Sequence, residues 1–278
     1  MFPIHENLHG KTAVITGGSG VLCSEMAREL ARQGVNVAII NRTLEKGVSI
    51  VSEIEAAGGK AIAVAADVLD RSSLEKAKEA VINAFGGVDI LINGAGGNHP
   101  DAITAVETYT EGPSEKSFFQ LDESGFSKVF ATNFTGTFLT SQVFGLELLK
   151  QESPNIINIS SMSAYSPMTK VPAYSAAKSA INNFTMWMAV HFGETGLRVN
   201  AIAPGFFLTS QNRNLLLHED GTHTPRTEKI ITHTPMKRFG QPKDLLGALL
   251  WLVDEEYSGF VTGVTVPVDG GFMAYSGV

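Results

Sequence analysis

A tyrosine and a lysine spaced four residues apart could together transfer a proton. Tyr174 and Lys178 would lie one turn apart on one face of a helix, and Pro172 suits that helix's first turn. A phenol normally keeps its proton up to about pH 10. Because an ammonium group beside it favours the phenolate, the pair predicts a proton donor and acceptor with a tuning charge. Alone the spacing is weak evidence for a catalytic pair, since such pairs also occur by chance on solvated helix faces.

Two other segments strengthen this interpretation. The residues from Asn155 to Ser160 are largely apolar and β-branched, which predicts a buried strand, and the hydroxyl of Ser161 follows it. Earlier in the chain, residues 10–20 predict a strand that runs into a glycine turn and then a helix. Together with the Tyr–Lys pair, these segments indicate the site of a dehydrogenase.

The elements that must position these residues alternate between strand and helix. Strands of nearly continuous apolar character, joined by helices, predict a parallel sheet covered on both faces. We therefore expect a single Rossmann-type doubly wound α/β domain of about seven strands over residues 1–278, which both binds a dinucleotide and carries out catalysis. The predicted strands are Thr12–Thr16, Val35–Ile40, Ala61–Ala66, Asp89–Asn93, Asn155–Ser160, Arg198–Ala203 and Val264–Val268, with helices such as Ser24–Gln33 and Leu44–Ala57 between them.

Composition and charge exclude several classes of protein. The 278 residues are 44% hydrophobic, and the net charge is −7 with no cluster of Lys or Arg, so nucleic acid and membranes are not expected as partners. The single cysteine rules out an internal disulfide and fits a reducing compartment. No leader pattern opens the chain, and no apolar run approaches the roughly 20 residues that span a bilayer. We therefore expect a soluble cytoplasmic protein.

The glycine turn after the first strand suits a pyrophosphate. Glycines allow close approach of the backbone, and the following helix offers free N–H groups and the positive end of its dipole. In the G-x-G-x-x-G pattern Cys23 replaces the third glycine, and it is expected to pack helix against sheet. The alternatives are a purely structural turn and a thiol whose pKa the helix N-terminus lowers. The predicted coenzyme contacts are Gly17, Gly18, Ser19, Gly20, Val21 and Leu22.

The ends of the next three strands predict how the adenosine half of a coenzyme is bound. Where an NAD site needs Asp or Glu for the ribose 2′-hydroxyl, the chain has Asn41 and Arg42. Arg42 could pair with a 2′-phosphate, which favours NADP(H) over NAD(H), unless it is an ordinary solvated residue. The third strand end offers a carboxylate for adenine and the fourth offers room for the ribose, which adds the predicted contacts Asp67, Val68, Asn93, Gly94 and Ala95.

Taken together, these motifs resemble the short-chain dehydrogenase/reductase family. The match covers nearly the whole chain in the family's order and spacing. It departs from many members at Val21 and Cys23, where glycines are common, and this leaves the detail of the pyrophosphate contacts open. The motifs that carry the resemblance are Thr16-Gly17-Gly18, Asn93-Gly94-Ala95-Gly96, Asn133, Ser161, Tyr174-x-x-x-Lys178, Pro204-Gly205 and Val268-Asp269-Gly270-Gly271.

The resemblance implies a role for each matching residue. Tyr174 would be the catalytic acid/base, and Lys178 would lower its pKa and hold the nicotinamide ribose. Ser161 would bind the substrate oxygen, and Asn133 would support a proton relay. The resemblance also implies a homotetramer or homodimer. Near the nicotinamide it implies the coenzyme contacts Pro204, Gly205, Phe207 and Thr209, the last at the carboxamide.

Several stretches resemble one branch of the family, the D-mannonate oxidoreductases or fructuronate reductases. This narrower resemblance implies interconversion of D-mannonate and D-fructuronate in hexuronate metabolism, with a small sugar acid as the partner. The stretches are Gly20–Met26, Asn93–Pro100, Ala203–Thr209, Gln211–Arg213 and Phe272–Val278.

Two polar segments, residues 97–121 and 206–238, follow strand ends and are the predicted walls of a substrate pocket. Arg213 could form a bidentate pair with a sugar-acid carboxylate, with Lys170 or Arg238 next in line. Asn98, His99 and Ser163 could bind hydroxyls, but each could also be an ordinary loop residue, and His99 a turn residue. No His, Cys, Asp or Glu grouping has metal-ligand spacing on one element, so no catalytic metal is expected.

Two other functions stay open from the sequence. A reductase of the same fold could act on a different substrate, such as a gluconate or a 3-oxoacyl conjugate, although the polar segments argue against an acyl chain. A dinucleotide sensor without chemistry is the second alternative. It would have no need for Asn133, Ser161, Tyr174 and Lys178 together.

Overall fold

A parallel sheet lies at the centre of the computed structural model, which describes residues 2–111, 116–209 and 212–277. Its seven strands are β1 Thr12–Thr16, β2 Asn36–Asn41, β3 Lys60–Ala65, β4 Ile90–Asn93, β5 Asn155–Ile159, β6 Arg198–Pro204 and β7 Thr265–Val268. They lie in the order β3-β2-β1-β4-β5-β6-β7, and every pair of neighbours is parallel.

Helices cover both faces of this sheet. Neighbouring residues of one strand alternate between two hydrophobic layers, one on each face: Ala13 and Ile15 belong to the first layer, and Val14 belongs to the second. The doubly wound α/β fold predicted from the sequence is therefore confirmed. The helices are α1 Val21–Arg32, α2 Leu44–Ala56, α3 Arg71–Phe85, α4 Glu123–Phe130, α5 Gly136–Leu148, α6 Pro172–His191, α7 Arg213–Leu216, α8 Pro225–His233, α9 Leu246–Val253 and α10 Glu255–Ser258.

The strand order reverses between β1 and β4, and this reversal locates the ligand site. Crossover connections leave the two strands in opposite directions, which opens a crevice at their carboxyl ends. Thr16, the last residue of β1, pairs with Asn93, the last residue of β4. The glycine turn after β1 and Ser161 after β5 therefore emerge at the same edge of the sheet.

The predicted strands begin and end within one residue of the observed ones, and β1 matches its prediction. The helix α1 begins at Val21 instead of Ser24. Its N-cap is Gly20, which makes no side-chain capping bond and so gives no polar start signal. In the described part of the chain, none of the helices combines the length and apolar character that a membrane crossing requires.

The two polar segments contain more regular structure than their sequence indicates. Residues 97–121 include the 3₁₀ turns Pro100–Ala102 and Phe118–Gln120, and residues 206–238 include α7 and α8. The hydroxyl of Thr224 caps α8 by accepting a hydrogen bond from the N–H of Thr227. Residues 112–115 and 210–211 lie outside the described residues. Gln211 and Val278, which belong to two of the stretches that carry the branch resemblance, are therefore not described.

Candidate active site

The carboxyl edge of the sheet opens into a cleft of about 560 Å³, the main cleft. Its walls include all four residues that the family resemblance predicts to be catalytic, which are Asn133, Ser161, Tyr174 and Lys178. Its other end is lined by the turn between β1 and α1, through Gly17, Ser19, Gly20, Val21 and Leu22. The Tyr–Lys pair and the glycine turn therefore share one continuous space.

Lys178 is almost completely buried. It lies one turn after Tyr174 on α6, is 5% exposed, and its Nζ donates a hydrogen bond to the carbonyl of Ile159, 2.7 Å away at the end of β5. Burial disfavours the ammonium and lowers the pKa of Lys178 to about 8, and the electrostatic effect of Cys23 acts in the opposite direction without cancelling it. The ammonium is still the main form at pH 7, but a small rise in pH removes it.

The phenol of Tyr174 is half-buried beside this ammonium, with the Lys178 Nζ 5.5 Å from the ring centroid. Burial raises the pKa of Tyr174 above its ordinary value, and hydrogen bonding with Ser161 acts in the opposite direction without cancelling the rise. The net shift is opposite to the lowered pKa expected from the sequence, because desolvation of the phenolate outweighs its stabilisation. At neutral pH Tyr174 is therefore a phenol, the form that donates a proton.

Ser161 follows β5 and caps a short 3₁₀ turn, Met162–Ala164. Its hydroxyl oxygen accepts hydrogen bonds from the N–H of Ser163 at 3.2 Å and from the Ser163 hydroxyl at 3.0 Å. The Ser161 O–H is then available to donate to an oxygen atom in the cleft. Ser163 is itself buried and does not line the main cleft, so the structure makes it a support for Ser161 instead of a contact for a substrate hydroxyl.

Asn133 lies in a π-helical turn, Ala131–Thr135, between α4 and α5. Its Nδ2 donates to the carbonyls of Gly97 at 2.7 Å and Val129 at 2.8 Å, and its Oδ1 accepts from the N–H of Gly97 at 3.2 Å. Such π turns occur frequently at functional sites. Asn133 thereby fixes the segment that follows β4 against the end of α4.

Gly17 and Gly94 hold the turn after β1 against the end of β4. Gly17 has a φ of +64°, and a Cβ on it would lie 2.9 Å from the carbonyl oxygen of Gly94. A Cβ on Gly94 would collide with the sulfur of Cys23. The hydroxyl of Thr16 accepts hydrogen bonds from the N–H groups of Gly94 at 3.1 Å and Ala95 at 3.2 Å. Only glycine fits at these two positions, and the turn leads directly into the N-terminus of α1.

A second pocket of about 200 Å³, the side pocket, extends from the glycine turn to the ends of β2 and β3. Asn41 anchors the glycine turn here, because its Oδ1 accepts hydrogen bonds from the N–H of Ser19 at 3.1 Å and from the Ser19 hydroxyl at 2.9 Å. Arg42 and Lys46 are exposed and place two cations on the pocket wall. The predicted adenosine contacts Asp67, Val68 and Ala95 line the same pocket.

Comparison with known families decides the class of protein. The family model for short chain dehydrogenase matches residues 11–220, which is most of the chain. The chain belongs to the short-chain dehydrogenase family. It is therefore an oxidoreductase that uses a dinucleotide coenzyme, NAD or NADP, as the sequence predicted.

Individual relatives of this short-chain dehydrogenase carry different names. An uncharacterized oxidoreductase, UxuB, of Bacillus subtilis (strain 168) is 76% identical over 278 residues and matches over 100% of both chains. A solved structure from Haemophilus influenzae, provisionally named a D-mannonate oxidoreductase and holding bound NAD, is 49% identical with a TM-score of 0.95 over 98% of each chain. Glucose 1-dehydrogenase 2 of Bacillus subtilis (strain 168) is 32% identical over 98% of each chain. The relatives fix the reaction class and leave the substrate open.

The described residues of this short-chain dehydrogenase fit a dinucleotide. The glycine turn and the start of α1 suit the pyrophosphate, and Pro204, Gly205 and Thr209 line the opposite part of the main cleft after β6. A Cβ on Gly205 would lie 2.6 Å from the Cα and Cβ of Asp269, so the turn after β6 packs tightly against the chain that follows β7. Both ends of the cleft are thus formed by close backbone packing at glycines.

Three of the predicted coenzyme contacts line neither the main cleft nor the side pocket. Asn93 is 2% exposed, and its Nδ2 donates to Ser141 at 3.0 Å and to Asn158 at 2.9 Å, which ties β4 to α5 and β5. A Cβ on Gly18 would meet side chains of β1 and β2. Phe207 belongs to the hydrophobic core. These three residues therefore shape the main cleft and the side pocket through packing and hydrogen bonds without lining them.

Cys23 is a packing residue, as the sequence favoured. It is 5% exposed, and burial raises the pKa of its thiol to about 11, although the charge of Lys178 acts in the opposite direction. A neutral thiol is a poor nucleophile. The structure therefore gives no support to the alternative of a reactive thiolate.

The structure does not bring three of the predicted substrate contacts, Asn98, His99 and Arg213, to the main cleft. The His99 ring caps the turn that follows it, since its Nδ1 accepts a hydrogen bond from the N–H of Asp101 at 3.3 Å. Arg213 lies on α7 with an exposed side chain. The cleft instead includes residues that the sequence analysis did not single out: Lys46, Gly97, Ile159, Ser160, Met162, Met168 and Phe206.

Proposed function

We propose that this short-chain dehydrogenase interconverts D-fructuronate and D-mannonate by hydride transfer, with Tyr174 as the acid/base. The observation that carries the reaction type is the placement of Ser161, Tyr174 and Lys178 in one cleft with the glycine turn. The substrate is supported by the sequence motifs of that branch and by the 49% identity to the Haemophilus influenzae protein, provisionally named a D-mannonate oxidoreductase.

The four catalytic residues have different roles in the proposed reaction. A nicotinamide coenzyme, when bound, supplies the hydride for reduction and accepts it in oxidation. In reduction, Ser161 donates a hydrogen bond to the substrate carbonyl oxygen, and Tyr174 gives that oxygen its proton as negative charge develops there. Lys178 stabilises the phenolate that remains and holds the ribose of the coenzyme. Asn133 supports the proton relay by fixing the backbone at Gly97. In oxidation, the Tyr174 phenolate removes the hydroxyl proton.

Two alternatives can be weighed against this proposal. A reductase of the same fold could act on a gluconate or a 3-oxoacyl conjugate. The cations near the cleft favour an acid over an acyl chain, and the substrate panel below separates a gluconate from the hexuronate-derived acids. A sensor without chemistry is disfavoured, because each catalytic role is filled by a residue that lines the cleft.

The homotetramer or homodimer, the cytoplasmic location and the role of residues 97–121 and 206–238 as substrate walls stay predictions.

A panel of substrates tests the proposed activity. We expect D-fructuronate and D-mannonate to give a higher kcat/KM than gluconate, glucose or a 3-oxoacyl thioester, followed by the absorbance of the reduced nicotinamide with each coenzyme. Inactivity on both hexuronate-derived acids, with turnover of another substrate, would reject the substrate and keep the dehydrogenase. Absence of turnover across the whole panel would favour the sensor.

We also propose that NADP(H) is preferred over NAD(H). Two cations, Arg42 and Lys46, line the side pocket, and Asn41 occupies the position at which an NAD site needs a carboxylate. The NAD held by the Haemophilus influenzae relative shows that NAD enters a similar fold, so the preference must be measured on this chain.

Arg42→Ala is expected to weaken NADP(H) binding roughly 10-fold or more and NAD(H) binding little, because a charge-assisted contact to the 2′-phosphate is lost. Titration of both coenzymes measures the two dissociation constants. The control is Arg71→Ala, which removes an exposed arginine outside the side pocket. Asn41→Asp should shift preference toward NAD by repelling phosphate, while keeping an acceptor for Ser19. Equal losses for both coenzymes would make Arg42 a surface residue.

A further inference from the structure

A third cavity of about 280 Å³, the cationic cavity, adjoins the main cleft. Met168 and Phe206 line both spaces, so the two cavities meet at these side chains. The far wall of the cationic cavity is α8, which contributes Arg226, Lys229 and His233. These residues follow helical spacing and therefore lie on one face of α8, toward the same space.

This cavity has an excess of positive charge. Glu107 also lines it and pairs with Lys229 at 2.9 Å. Arg226 is exposed and takes part in none of the ion pairs formed among the described residues. The pKa of Glu107 is held below its usual range by its hydrogen bond from Lys229 and by the charges of Lys229, Lys170 and Arg226. Three cations thus act on a single carboxylate.

We propose that the cationic cavity binds the carboxylate of the sugar-acid substrate, with Arg226 as its main partner and Lys229 as a second cation. This inference rests on the proposed function, which supplies a carboxylate at one end of the substrate. In D-fructuronate three carbons separate the carboxylate from the ketone, a span of roughly 5 Å at ordinary carbon–carbon bond lengths. With the ketone at Tyr174 and Ser161, the carboxylate would reach the cationic cavity by way of Met168 and Phe206, the two side chains that line both spaces. The planar guanidinium of Arg226 matches a carboxylate with two parallel hydrogen bonds.

The other cations are less suitable for this role. Arg213, the residue first predicted from the sequence, lines neither the main cleft nor the cationic cavity. Arg238 is paired with Asp244 at 2.6 Å and lines a different cavity. Lys170 contributes to the field around Glu107 but does not line the cationic cavity. Arg213 and Arg226 therefore form a matched pair, since both are exposed arginines on short helices of the same segment.

The test compares Arg226→Gln with Arg213→Gln. Binding of D-mannonate to the enzyme with reduced coenzyme, a combination that cannot react, is measured by isothermal titration calorimetry, and thermal unfolding checks that both variants fold. We expect the dissociation constant for D-mannonate to rise roughly 10-fold or more in Arg226→Gln and to stay near the wild-type value in Arg213→Gln. Coenzyme affinity should be unchanged in both. Wild-type affinity for D-mannonate in Arg226→Gln, or an equal loss in both variants, would overturn the assignment.

The binding measurement separates this inference from the proposed function. If the wild type binds D-mannonate without oxidising it, the proposed activity fails, and the cavity is judged by the variants alone. If the wild type oxidises D-mannonate and Arg226→Gln binds it normally, the activity stands and the cavity assignment fails. Absence of D-mannonate binding to the wild type would overturn both.

Glu107→Gln gives a test of opposite sign. Glu107 is the one carboxylate that lines the cavity among the described residues, and removing it should raise the positive potential and free Lys229, so the KM for the sugar acid should fall several-fold. The KM for a neutral analogue that lacks the carboxylate should not change. An unchanged or higher KM for the acid would overturn the assignment, because a carboxylate held among these cations must respond to the lost negative charge.

Discussion

Replacing Tyr174 with phenylalanine is expected to lower turnover about 10²–10⁴-fold, the usual contribution of general acid–base catalysis. The ring keeps its packing beside Lys178, and only the ionisable hydroxyl is lost. Coenzyme affinity should therefore stay close to the wild-type value. Steady-state kinetics gives the turnover, and titration of the coenzyme gives the affinity. A variant that keeps more than about a tenth of the wild-type rate would contradict the proposed role.

Tyr165→Phe is the matched control for this substitution. Tyr165 lies near Ser161 in the chain, but its hydroxyl donates to the carbonyl of Thr265 at 3.1 Å and its side chain does not line the main cleft. Loss of this hydroxyl removes a tyrosine O–H without touching the proposed proton transfer. Near-normal turnover in Tyr165→Phe is therefore expected, and an equal loss in both variants would point to a structural effect.

The raised pKa of Tyr174 also predicts how the two reaction directions respond to pH. Below its pKa Tyr174 is a phenol, so the reduction of a ketone has its proton donor ready across the neutral range. The oxidation of an alcohol needs the phenolate, whose fraction grows tenfold for each unit of pH below that pKa. We expect oxidation to accelerate with rising pH while reduction does not. Parallel pH profiles in the two directions would contradict Tyr174 as the titrating group.

Much of the fold could be predicted because most of its strands are buried on both faces. Buried, largely apolar strands such as Asn155–Ile159 leave few alternatives, and the glycine turn fixes where the first helix starts to within a few residues. The helix α8 was missed for a physical reason. It buries only Thr227 and Ile230, so its sequence shows little apolar periodicity, and its capping Thr224 was the available signal.

The catalytic residues that lie near strand ends could be predicted from the sequence. The residues that the long segments bring to the site could be predicted less well. The positions of Ser161 and Lys178 follow from β5 and α6, whose course the sequence indicates. The position of Arg226 beside Met168 depends on how residues 206–238 fold against the connection between β5 and α6, which no local pattern encodes. The sequence also could not weigh burial against charge at Tyr174, because desolvation depends on the packed environment.

Replacing Lys178 with methionine is expected to lower turnover at pH 7 by at least about tenfold and to weaken coenzyme binding. The ammonium that favours the phenolate is lost, so the oxidation rate should fall relative to the wild type below about pH 8, where Lys178 is protonated, and less above it. The pH dependence of kcat and the dissociation constant of the coenzyme measure both effects. An unchanged pH profile would remove Lys178 as the tuning charge.

The same substitution should change how stability depends on pH. Burial lowers the pKa of Lys178 from 10.5 to about 8, so between these pH values the unfolded chain binds more protons than the folded one. The free energy of unfolding of the wild type should therefore rise with pH relative to Lys178→Met, by roughly 3 kcal/mol across that window, and the difference should be constant below it. Urea unfolding at a series of pH values measures this, with Lys76→Met as a control for the loss of an exposed lysine. A difference that is flat from pH 8 to 10.5 would mean that Lys178 keeps its proton in the folded protein. Burial would then impose no cost on the ammonium, and the tuning charge would persist at alkaline pH.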